Sequence, residues 1–248
     1  MTIPDRETFD SLDPRWLIRV TDDGSPTLVD RVTGDSMHSG CGATAETLHV
    51  YLHNSGILER LEQQQQSRVL EVGLGTGLGC LLSAQCANRN ETPLEYVALE
   101  NNLAPASVIT QLAGRFQDID ALLVDSYCEI LRASPSGSRI QGSLGRRCQL
   151  TIHLGDAATW HGNDESPFDA IYFDPYGPDS NPELWSAAVL ATMRRHLSPA
   201  GRLVSYCVSR QVRDTLTEVG FIVNRVRGPL GGKREVLIAT QSERSRVP

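Results

Sequence analysis

The sequence predicts an α/β protein: a doubly wound, mostly parallel sheet of seven strands, preceded by a β-hairpin and helices. Two observations support this fold class. From residue 68 onward, short apolar runs alternate with longer helical stretches, and such alternation produces right-handed βαβ units with parallel strands. The last two runs are joined only by PLGGK, a link that suits antiparallel neighbours because a parallel crossover needs more residues.

The first 66 residues are expected to form an extension ahead of the main domain. Residues 15–33 alternate apolar and polar positions around Asp23–Gly24, which predicts a β-hairpin. Apolar residues then return at helical spacing on both sides of Ser55–Gly56, which predicts two helices with a break between them. These apolar residues are Leu48, Tyr51, Leu52, Ile57, Leu58 and Leu61.

The main domain is expected over residues 67–241, with a flexible tail at 242–248. Strands are predicted, in order, in RVLEVGLG, EYVALE, QLTIHLGDA, FDAIYFDPYGP, RLVSYC, FIVNRVRG and REVLIAT. Helices are predicted in TGLGCLLSAQCANR, in two stretches of 105–131, in NPELWSAAVLATMRRHLSPAG, which should stop at Pro-Ala-Gly, and in SRQVRDTLTEVG. The stretch 133–148 is expected to be a loop because it is polar and rich in Gly and Ser.

Composition excludes several classes of protein. With 40% hydrophobic and 21% charged residues, the chain is unlike disordered, collagenous, coiled-coil or membrane proteins. It has no apolar run near the roughly 18–20 residues of a membrane span and no secretion signal at its start, so we expect a cytoplasmic protein without a membrane partner. The six cysteines form no CxxC pair and the histidines no HExxH motif, so we expect no metal.

Charge is distributed unevenly along the chain. Residues 194–248 contain eleven Lys or Arg against four Asp or Glu, whereas residues 1–193 contain twelve against twenty-six. The C-terminal part is therefore basic within a protein whose net charge is −7. Such asymmetry is typical of a surface that meets a polyanion, although a solvated Arg-rich helix face would give the same count.

A glycine-rich turn follows the first strand of the main domain. The run Glu71-Val72-Gly73-Leu74-Gly75-Thr76-Gly77 leads from that strand into a helix, and a turn of this kind brings backbone N–H groups close to a ligand. Its G-x-G-x-G spacing differs from the G-x-G-x-x-G typical of pyrophosphate cofactors. Together with Glu71, which would hold a cationic amino-acid group, it resembles the S-adenosylmethionine motif.

Acidic residues close the next two strands. Glu100 ends the second strand, where a carboxylate can accept hydrogen bonds from both hydroxyls of a ribose. Asp156 follows the third strand and can accept a proton from an adenine amino group, while Ala157 offers a backbone N–H. Ligands of open α/β sheets bind at the carboxyl ends of the strands, so these residues predict a site for a nucleoside.

The fourth strand ends in Phe173-Asp174-Pro175-Tyr176-Gly177-Pro178. Asp174 is expected to face the transferred methyl group. An alkylamine substrate arrives protonated at neutral pH, and a carboxylate can orient the ammonium and remove its proton. Tyr176 would form an aromatic wall. The run is similar to the Asp/Asn-Pro-Pro-aromatic signature of amino-directed methyltransferases.

Several segments together resemble the methyltransferase domain of the MnmC family, over about residues 14–240. They are DGSPTLVD, HSGCGATAE, LEVGLGTGL, HLGDA, FDAIYFDPYGPDSNPELW and GKRE. The resemblance implies a Rossmann-like class I methyltransferase fold with S-adenosyl-L-methionine as cofactor. It implies methyl transfer to the exocyclic amine of 5-aminomethyl-2-thiouridine at the wobble position of tRNA. The sequence differs from the family pattern at three places. Gly79 stands where the family usually has Asn, Met37 where it usually has an aromatic residue, and Pro175-Tyr176 also depart from it.

The resemblance also implies roles for single residues. Glu71, Gly73, Gly75 and Gly77 would hold the methionine end of the cofactor, Glu100 its ribose, and Asp156 and Ala157 its adenine. Asp174 would be the catalytic carboxylate. Tyr176, Lys233, Arg234, Arg225 and Arg227 would bind the substrate, the basic residues through tRNA phosphates. Bifunctional family members continue into an FAD-dependent oxidase domain, and we expect no FAD domain in this chain.

Two alternatives remain from the sequence. An aminopropyltransferase of the spermidine synthase kind shares the fold and a similar GDA…D-x-x-G-P pattern, but it would need an acidic pocket for polyamines in place of a basic surface. A non-catalytic S-adenosylmethionine-binding module would also keep the glycine turn. The basic C-terminal part disfavours the first alternative, and the acid at Asp174 disfavours the second.

Overall fold

The N-terminal extension contains the predicted hairpin and one further strand. In a computed structural model, which describes residues 6–116, 118–133, 138–162 and 165–241, strands β1 (Thr8–Asp10), β2 (Trp16–Val20) and β3 (Pro26–Asp30) form an antiparallel sheet in that order. The β2–β3 hairpin turns at Gly24, whose φ is +82°. The prediction of an N-terminal hairpin is confirmed, and β1 pairs along its outer strand.

The helices of the extension break where the sequence predicts. Helix α1 (Ala43–Thr47) continues into a π-helical segment, Leu48–His53, and α2 (Ile57–Glu62) begins after Gly56. Gly56 has a φ of +83°, which a glycine adopts without the steric penalty other residues incur. π-Helical insertions are uncommon and are often found at functional sites, and this one carries Tyr51.

The main sheet has eight strands in the order β10-β11-β9-β8-β4-β5-β7-β6. The β4–β5, β4–β8, β5–β7 and β8–β9 pairs are parallel, and the final β10–β11 pair is antiparallel as predicted. The strands are β4 (Ser67–Val72), β5 (Leu94–Glu100), β6 (Arg139–Leu144), β7 (Cys148–Leu154), β8 (Phe168–Phe173), β9 (Leu197–Ser205), β10 (Ile222–Arg227) and β11 (Glu235–Thr240). The helices are α3 (Leu78–Arg89), α4 (Ala106–Ala113), α5 (Ala121–Arg132), α6 (Ala187–His196) and α7 (Arg210–Glu218).

The loop predicted over 133–148 is wrong for most of its length. Residues 139–144 form β6, which pairs antiparallel with β7 and makes the eighth strand in place of the seven predicted. Ile140 and Leu144 are buried, but the Gly and Ser between them hide the alternation that marks a strand. Gly142 is needed because a Cβ there would collide with the side chain of Ile130 on α5. Residues 134–137 lie outside the described residues.

The helix predicted to stop at Pro-Ala-Gly also ends differently. A 3₁₀ turn, Pro182–Trp185, precedes α6, and Ser186 caps that helix by accepting from the N–H of Val189. The helix ends at His196, and Ser198–Gly201 already belong to β9. The apolar pattern of NPELWSAAVLATMRRHL does not reveal where the helix gives way to the strand, since Leu197 would be buried as the last residue of a helix or the first of a strand. The predicted tail at 242–248 lies outside the described residues.

Hydrophobic clusters cover both faces of the sheet, as a doubly wound fold requires. One face packs against α3, α4, α5 and the extension, and the other against α6 and α7. Residues of the extension share the first cluster with α3 and β5; they are Trp16, Ile18, Val50, Tyr51, Leu52, Ile57 and Leu61. The boundary predicted between 66 and 67 stays a prediction. In the described residues no helix is both long and apolar enough to cross a bilayer.

Candidate active site

A cavity of about 800 Å³ lies at the carboxyl ends of β4, β5, β7 and β8, under residues 35–40 of the extension. It lies where the chain turns from one side of β4 to the other, the usual ligand position in such sheets. Its described lining is strongly acidic, with seven carboxylates against the two cations Arg15 and Lys233. The carboxylates belong to Asp35, Glu46, Glu71, Glu100, Asp156, Asp174 and Glu183.

The glycine turn forms the floor of this cavity as predicted from its spacing. Gly73, Gly75 and Gly77 all have positive φ angles, and α3 begins directly after Gly77. At Gly73 a Cβ would lie 2.6 Å from the backbone oxygen of Asp174. Only glycine therefore lets the ends of β4 and β8 approach this closely, and the turn brings Asp174 beside the predicted cofactor motif.

Glu100 is hydrogen-bonded to the glycine turn, 25 residues earlier in the chain. Its Oε2 accepts from the backbone N–H of Gly75 at 3.1 Å and its Oε1 from that of Asn102 at 2.8 Å. A carboxylate has about four lone-pair positions, so each oxygen keeps capacity for a further donor. The arrangement fixes Glu100 in the cavity with room to accept bonds from a ribose.

Asp156 and Ala157 line the cavity directly after β7, the strand next to β5. The Asp156 carboxylate is exposed and accepts from the backbone N–H of Ala158 at 2.8 Å, which caps a single 3₁₀ turn, Ala157–Thr159. The N–H of Gly155 donates to the carbonyl of Glu100 at 3.0 Å. The three strand tips predicted to form one site are thus joined by backbone hydrogen bonds.

Glu71 is a buried acid with an unpaired oxygen. It is 3% exposed, and among the described residues its Oε2 has no hydrogen-bond partner. Burial raises the pKa of Glu71 well above its ordinary value, the charge of Asp174 raises it further, and the neighbouring Tyr96 hydroxyl opposes the change. An unpaired carboxylate at the cavity wall is suited to receive a cationic ligand group, since burial without a partner is costly.

Asp174 lies at the tip of β8, and its backbone N–H donates to Val72 at 2.9 Å. Burial raises the pKa of its carboxyl group well above the ordinary value, and the charge of Glu46 adds to the rise. The Tyr51 hydroxyl and the charge of Lys233 oppose this increase. Perturbed carboxyl groups in a cleft are typical of catalytic sites.

The predicted substrate residues divide into two groups. Tyr176 lines the cavity, and its hydroxyl is buried without a partner among the described residues; burial raises its pKa to about 12. Lys233 also lines the cavity, with Nζ 3.7 Å from the ring centre of Tyr206. The other residues, Arg225, Arg227 and Arg234, have exposed side chains on or beside β10 and β11, outside the cavity lining, and Arg225 is paired with Glu235 at 2.8 Å.

Sequence reasoning missed the contributions of Tyr51, Glu46 and Tyr206. Tyr51 was assigned to the apolar face of a helix; it is buried there, but its hydroxyl reaches the cavity without a hydrogen-bond partner among the described residues. Glu46 is 6% exposed and accepts from the backbone N–H of Ser39 at 2.6 Å. The only signal in the sequence was the acid Glu46 just ahead of the apolar helical pattern, and its burial could not be foreseen because acids are rarely buried unless they are paired.

Comparison with known proteins identifies the fold and the cofactor. The profile of a family described as S-adenosyl-L-methionine-dependent methyltransferase matches residues 116–242, which is half of the chain. The chain belongs to this family. S-Adenosyl-L-methionine is therefore its cofactor, and the predicted class I methyltransferase fold is confirmed.

This methyltransferase is also similar to MnmC proteins, as its motifs predict. The tRNA 5-methylaminomethyl-2-thiouridine biosynthesis bifunctional protein MnmC of Delftia acidovorans is 31% identical over 198 residues, which cover 79% of this chain and 30% of the relative. The MnmC of Azoarcus sp. is 29% identical, with 87% of this chain and 34% of the relative covered. The chain thus spans about a third of the length of these relatives.

A solved structure has the same architecture over nearly the whole methyltransferase. The crystal structure of MNMC2 from Aquifex aeolicus superposes with a TM-score of 0.73 at 26% sequence identity, and it covers 96% of this chain and 70% of that one. The similarity therefore includes the N-terminal extension.

The residues of the cavity fit the cofactor of the family. S-Adenosylmethionine carries a sulfonium and an ammonium, and the cavity presents seven carboxylates, one of them the unpaired Glu71. The positive φ angles of the glycine turn leave its backbone open toward the cavity. Among the described residues, a Cβ at Gly75 would have only the Met37 sulfur within 4 Å, at 3.5 Å, so there is open space on this side of the turn.

Proposed function

We propose that this methyltransferase transfers a methyl group to the exocyclic amine of 5-aminomethyl-(2-thio)uridine at the wobble position of tRNA. The observation that carries the proposal is the position of Asp174, which lies in one cavity with Glu71, Glu100 and Asp156. The similarity to proteins named for 5-methylaminomethyl-2-thiouridine biosynthesis supports this choice of acceptor. A tRNA substrate would place the activity in the cytoplasm.

The carboxyl end of each strand binds a different part of the cofactor. Glu71, with the backbone of Gly73, Gly75 and Gly77, holds the amino-acid end. Glu100 accepts bonds from the ribose, and its existing bond to Gly75 keeps it in place. Asp156 and the N–H of Ala157 bind the adenine. This distribution follows the order β4, β5, β7 across the sheet.

Asp174 acts on the amine. An alkylammonium enters an acidic cavity favourably, and the Asp174 carboxylate accepts its proton so that the nitrogen lone pair is free to attack. The cofactor, when bound, supplies a methyl group on a positively charged sulfur. As the N–C bond forms, the electrons of the broken C–S bond would remain on the sulfur of the cofactor, and Asp174 would hold the removed proton until product leaves. Tyr176 supplies a wall for the base.

The exposed arginines bind the tRNA backbone. Arg225, Arg227 and Arg234 lie close to the β10–β11 turn, which also places Lys233 in the cavity. Phosphate contacts of this kind position a nucleic acid without reading its sequence. The basic C-terminal part of the chain thereby faces the polyanion while the acidic cavity receives the amine.

A methyl-transfer assay tests the proposal. Labelled S-adenosylmethionine is incubated with bulk tRNA that lacks the final methyl group, and the nucleosides are then analysed. We expect label in 5-methylaminomethyl-(2-thio)uridine with the wild-type protein and none with Asp174→Asn. A parallel reaction contains putrescine and the decarboxylated cofactor. Because the acidic cavity also suits a polyamine, product in that reaction alone would replace the tRNA function with aminopropyl transfer.

A further inference from the structure

The chain contains a single lysine. Its 23 basic residues are 22 arginines and Lys233. That lysine lines the cavity together with Asp174, whereas the neighbouring Arg234 does not. Arginine serves phosphate recognition well because its planar fork binds two oxygens at once. Lys233 is itself exposed, and its compact ammonium group on the lining of an acidic cavity differs chemically from the planar guanidinium groups of the arginines.

Two contacts define the position of Lys233. Its Nζ lies 3.7 Å from the ring centre of Tyr206, the distance of a cation–π interaction. The Tyr206 hydroxyl in turn donates to the carbonyl of Pro175 at 2.9 Å. Pro175 follows Asp174 directly, so lysine, tyrosine and the catalytic strand tip form a continuous chain of contacts.

The turn that carries Lys233 is held closely on its other side. The backbone N–H of Gly228 donates to the carbonyl of Arg234 at 2.8 Å. Gly228 packs so closely against the Lys233 carbonyl that a side chain at this position would collide with it. The carbonyl of Arg227, one residue earlier, bonds to His49 Nε2 at 2.8 Å. The hairpin end is thus anchored to the N-terminal extension, which holds the base of the lysine side chain near the cavity.

Arg15 also lines the cavity, but the other described groups that act on the Asp174 carboxyl group are neutral or negative. Glu46 and Tyr51 face it from the extension, Glu71 from β4 and Tyr206 from the end of β9. Burial and the charge of Glu46 raise the pKa of Asp174, and the positive charge of Lys233 acts against them. Without that charge a larger fraction of Asp174 would be protonated at neutral pH and unable to accept a proton.

We propose that Lys233 is a positioning residue whose positive charge, held over Tyr206 beside the tip of β8, acts on the carboxyl group of Asp174, and that it is not primarily a contact for tRNA phosphate. The proposal rests on the proposed function only in taking Asp174 as the proton acceptor. Lys233 and Arg234, adjacent in sequence, then have separate tasks: one sets the charge state of the site and the other binds the nucleic acid.

The single lysine permits a direct test in the free protein. Lysine labelled with ¹³C at Cε gives one side-chain resonance, which we follow between about pH 5 and pH 9, the range in which strongly perturbed carboxyl groups titrate. We expect a step in its chemical shift that is absent in Asp174→Asn. A resonance with the same shift and the same pH response in both proteins would overturn the proposal. This measurement needs no substrate, so it remains decisive even if the wild-type protein fails to methylate tRNA.

Kinetics with tRNA give a second readout. We expect Lys233→Met to move the acidic limb of the kcat/KM profile upward by about half to one pH unit, because an opposite charge is removed, and to leave the salt dependence of tRNA binding unchanged. Lys233→Arg, which keeps the positive charge, should return the acidic limb most of the way to its wild-type pH. The matched control is Arg234→Met, which should reduce the salt dependence and leave the limb in place. The reverse pattern, with Lys233→Met changing only the salt dependence, would make Lys233 a phosphate contact and refute the inference.

Discussion

Glu71, on β4, directly faces Gly79 in the first turn of α3. A Cβ at Gly79 would lie 2.6 Å from Glu71 Oε1 and 3.2 Å from the Tyr96 hydroxyl. The glycine therefore provides the space in which the unpaired carboxylate lies.

Gly79→Ala should weaken cofactor binding without destabilising the protein. The methyl group must displace the Glu71 carboxylate, whereas alanine within a helix is favoured over glycine by about 0.5–1 kcal/mol. We expect the Kd for S-adenosylmethionine to rise on the order of tenfold, equivalent to about 1.4 kcal/mol, with an unchanged or higher Tm. Calorimetry and thermal melting measure the two effects. Gly114→Ala, at a position where a Cβ meets nothing within 4 Å, is the control and should bind the cofactor normally.

Glu71→Gln should stabilise the free protein at neutral pH. The pKa of Glu71 is raised in the folded state, so the folded protein binds more protons than the unfolded chain between the ordinary and the raised pKa. Its stability therefore falls as pH rises through that window. Removing the ionisable group should increase the free energy of unfolding at pH 8 by about 1–3 kcal/mol, the range for a buried unsatisfied polar group, and change it little at pH 4.

Denaturant titrations at the two pH values check this expectation. Glu62→Gln, at an exposed position on α2, is the control and should leave the pH dependence as it is in the wild type. If Glu71→Gln destabilised the protein equally at both pH values, Glu71 would be a structural residue whose ionisation is unimportant.

Asp174→Asn should abolish turnover and leave cofactor affinity largely intact. Loss of a general base costs about 10²- to 10⁴-fold in rate, while the proposed cofactor contacts come from other strands. Single-turnover methyl transfer and calorimetry separate the two quantities. A collapse of cofactor affinity would show that Asp174 binds the cofactor, and its catalytic role would have to be abandoned.

The double variant Arg227→Ala, Arg234→Ala should weaken tRNA binding and flatten its salt dependence. Each lost phosphate contact reduces the slope of log K against log salt by about 0.7–0.9, so we expect a decrease near 1.5. Filter binding at several salt concentrations measures the slope. Arg89→Ala, at the C-terminal end of α3 and away from the cavity, is the control. An unchanged slope in the double variant would remove both arginines from the tRNA surface.

The sequence predicted the parts of the site that lie at strand ends. Gly75, Glu100 and Asp156 each follow a recognisable strand, and parallel strands bring their carboxyl ends together wherever the intervening helices lie. Tyr51 and Lys233 could not be placed in this way. Each lies on a segment whose docking is decided by long-range packing, and neither helical periodicity nor charge counts reveal which side-chain tips reach a distant cavity.

The eighth strand illustrates the same limit within the fold. Arg139–Leu144 has only two buried apolar residues, and it forms a strand because β7 offers an unpaired edge. Which strand a segment pairs with is decided by the tertiary structure and is not visible in the local sequence. The antiparallel β10–β11 pair was predictable because the link between the two strands is short and therefore local.

The extension and the sheet share one hydrophobic core, and the extension supplies both Glu46 and Tyr51 to the surroundings of Asp174. Lifting α1, the π-helical segment and α2 from α3 would expose residues of that shared core, so we expect the extension to come away only when the sheet itself unfolds. The surroundings of Asp174 would then be lost in the same step. Activity in denaturant should accordingly fall together with the melting of the sheet, without an inactive folded intermediate.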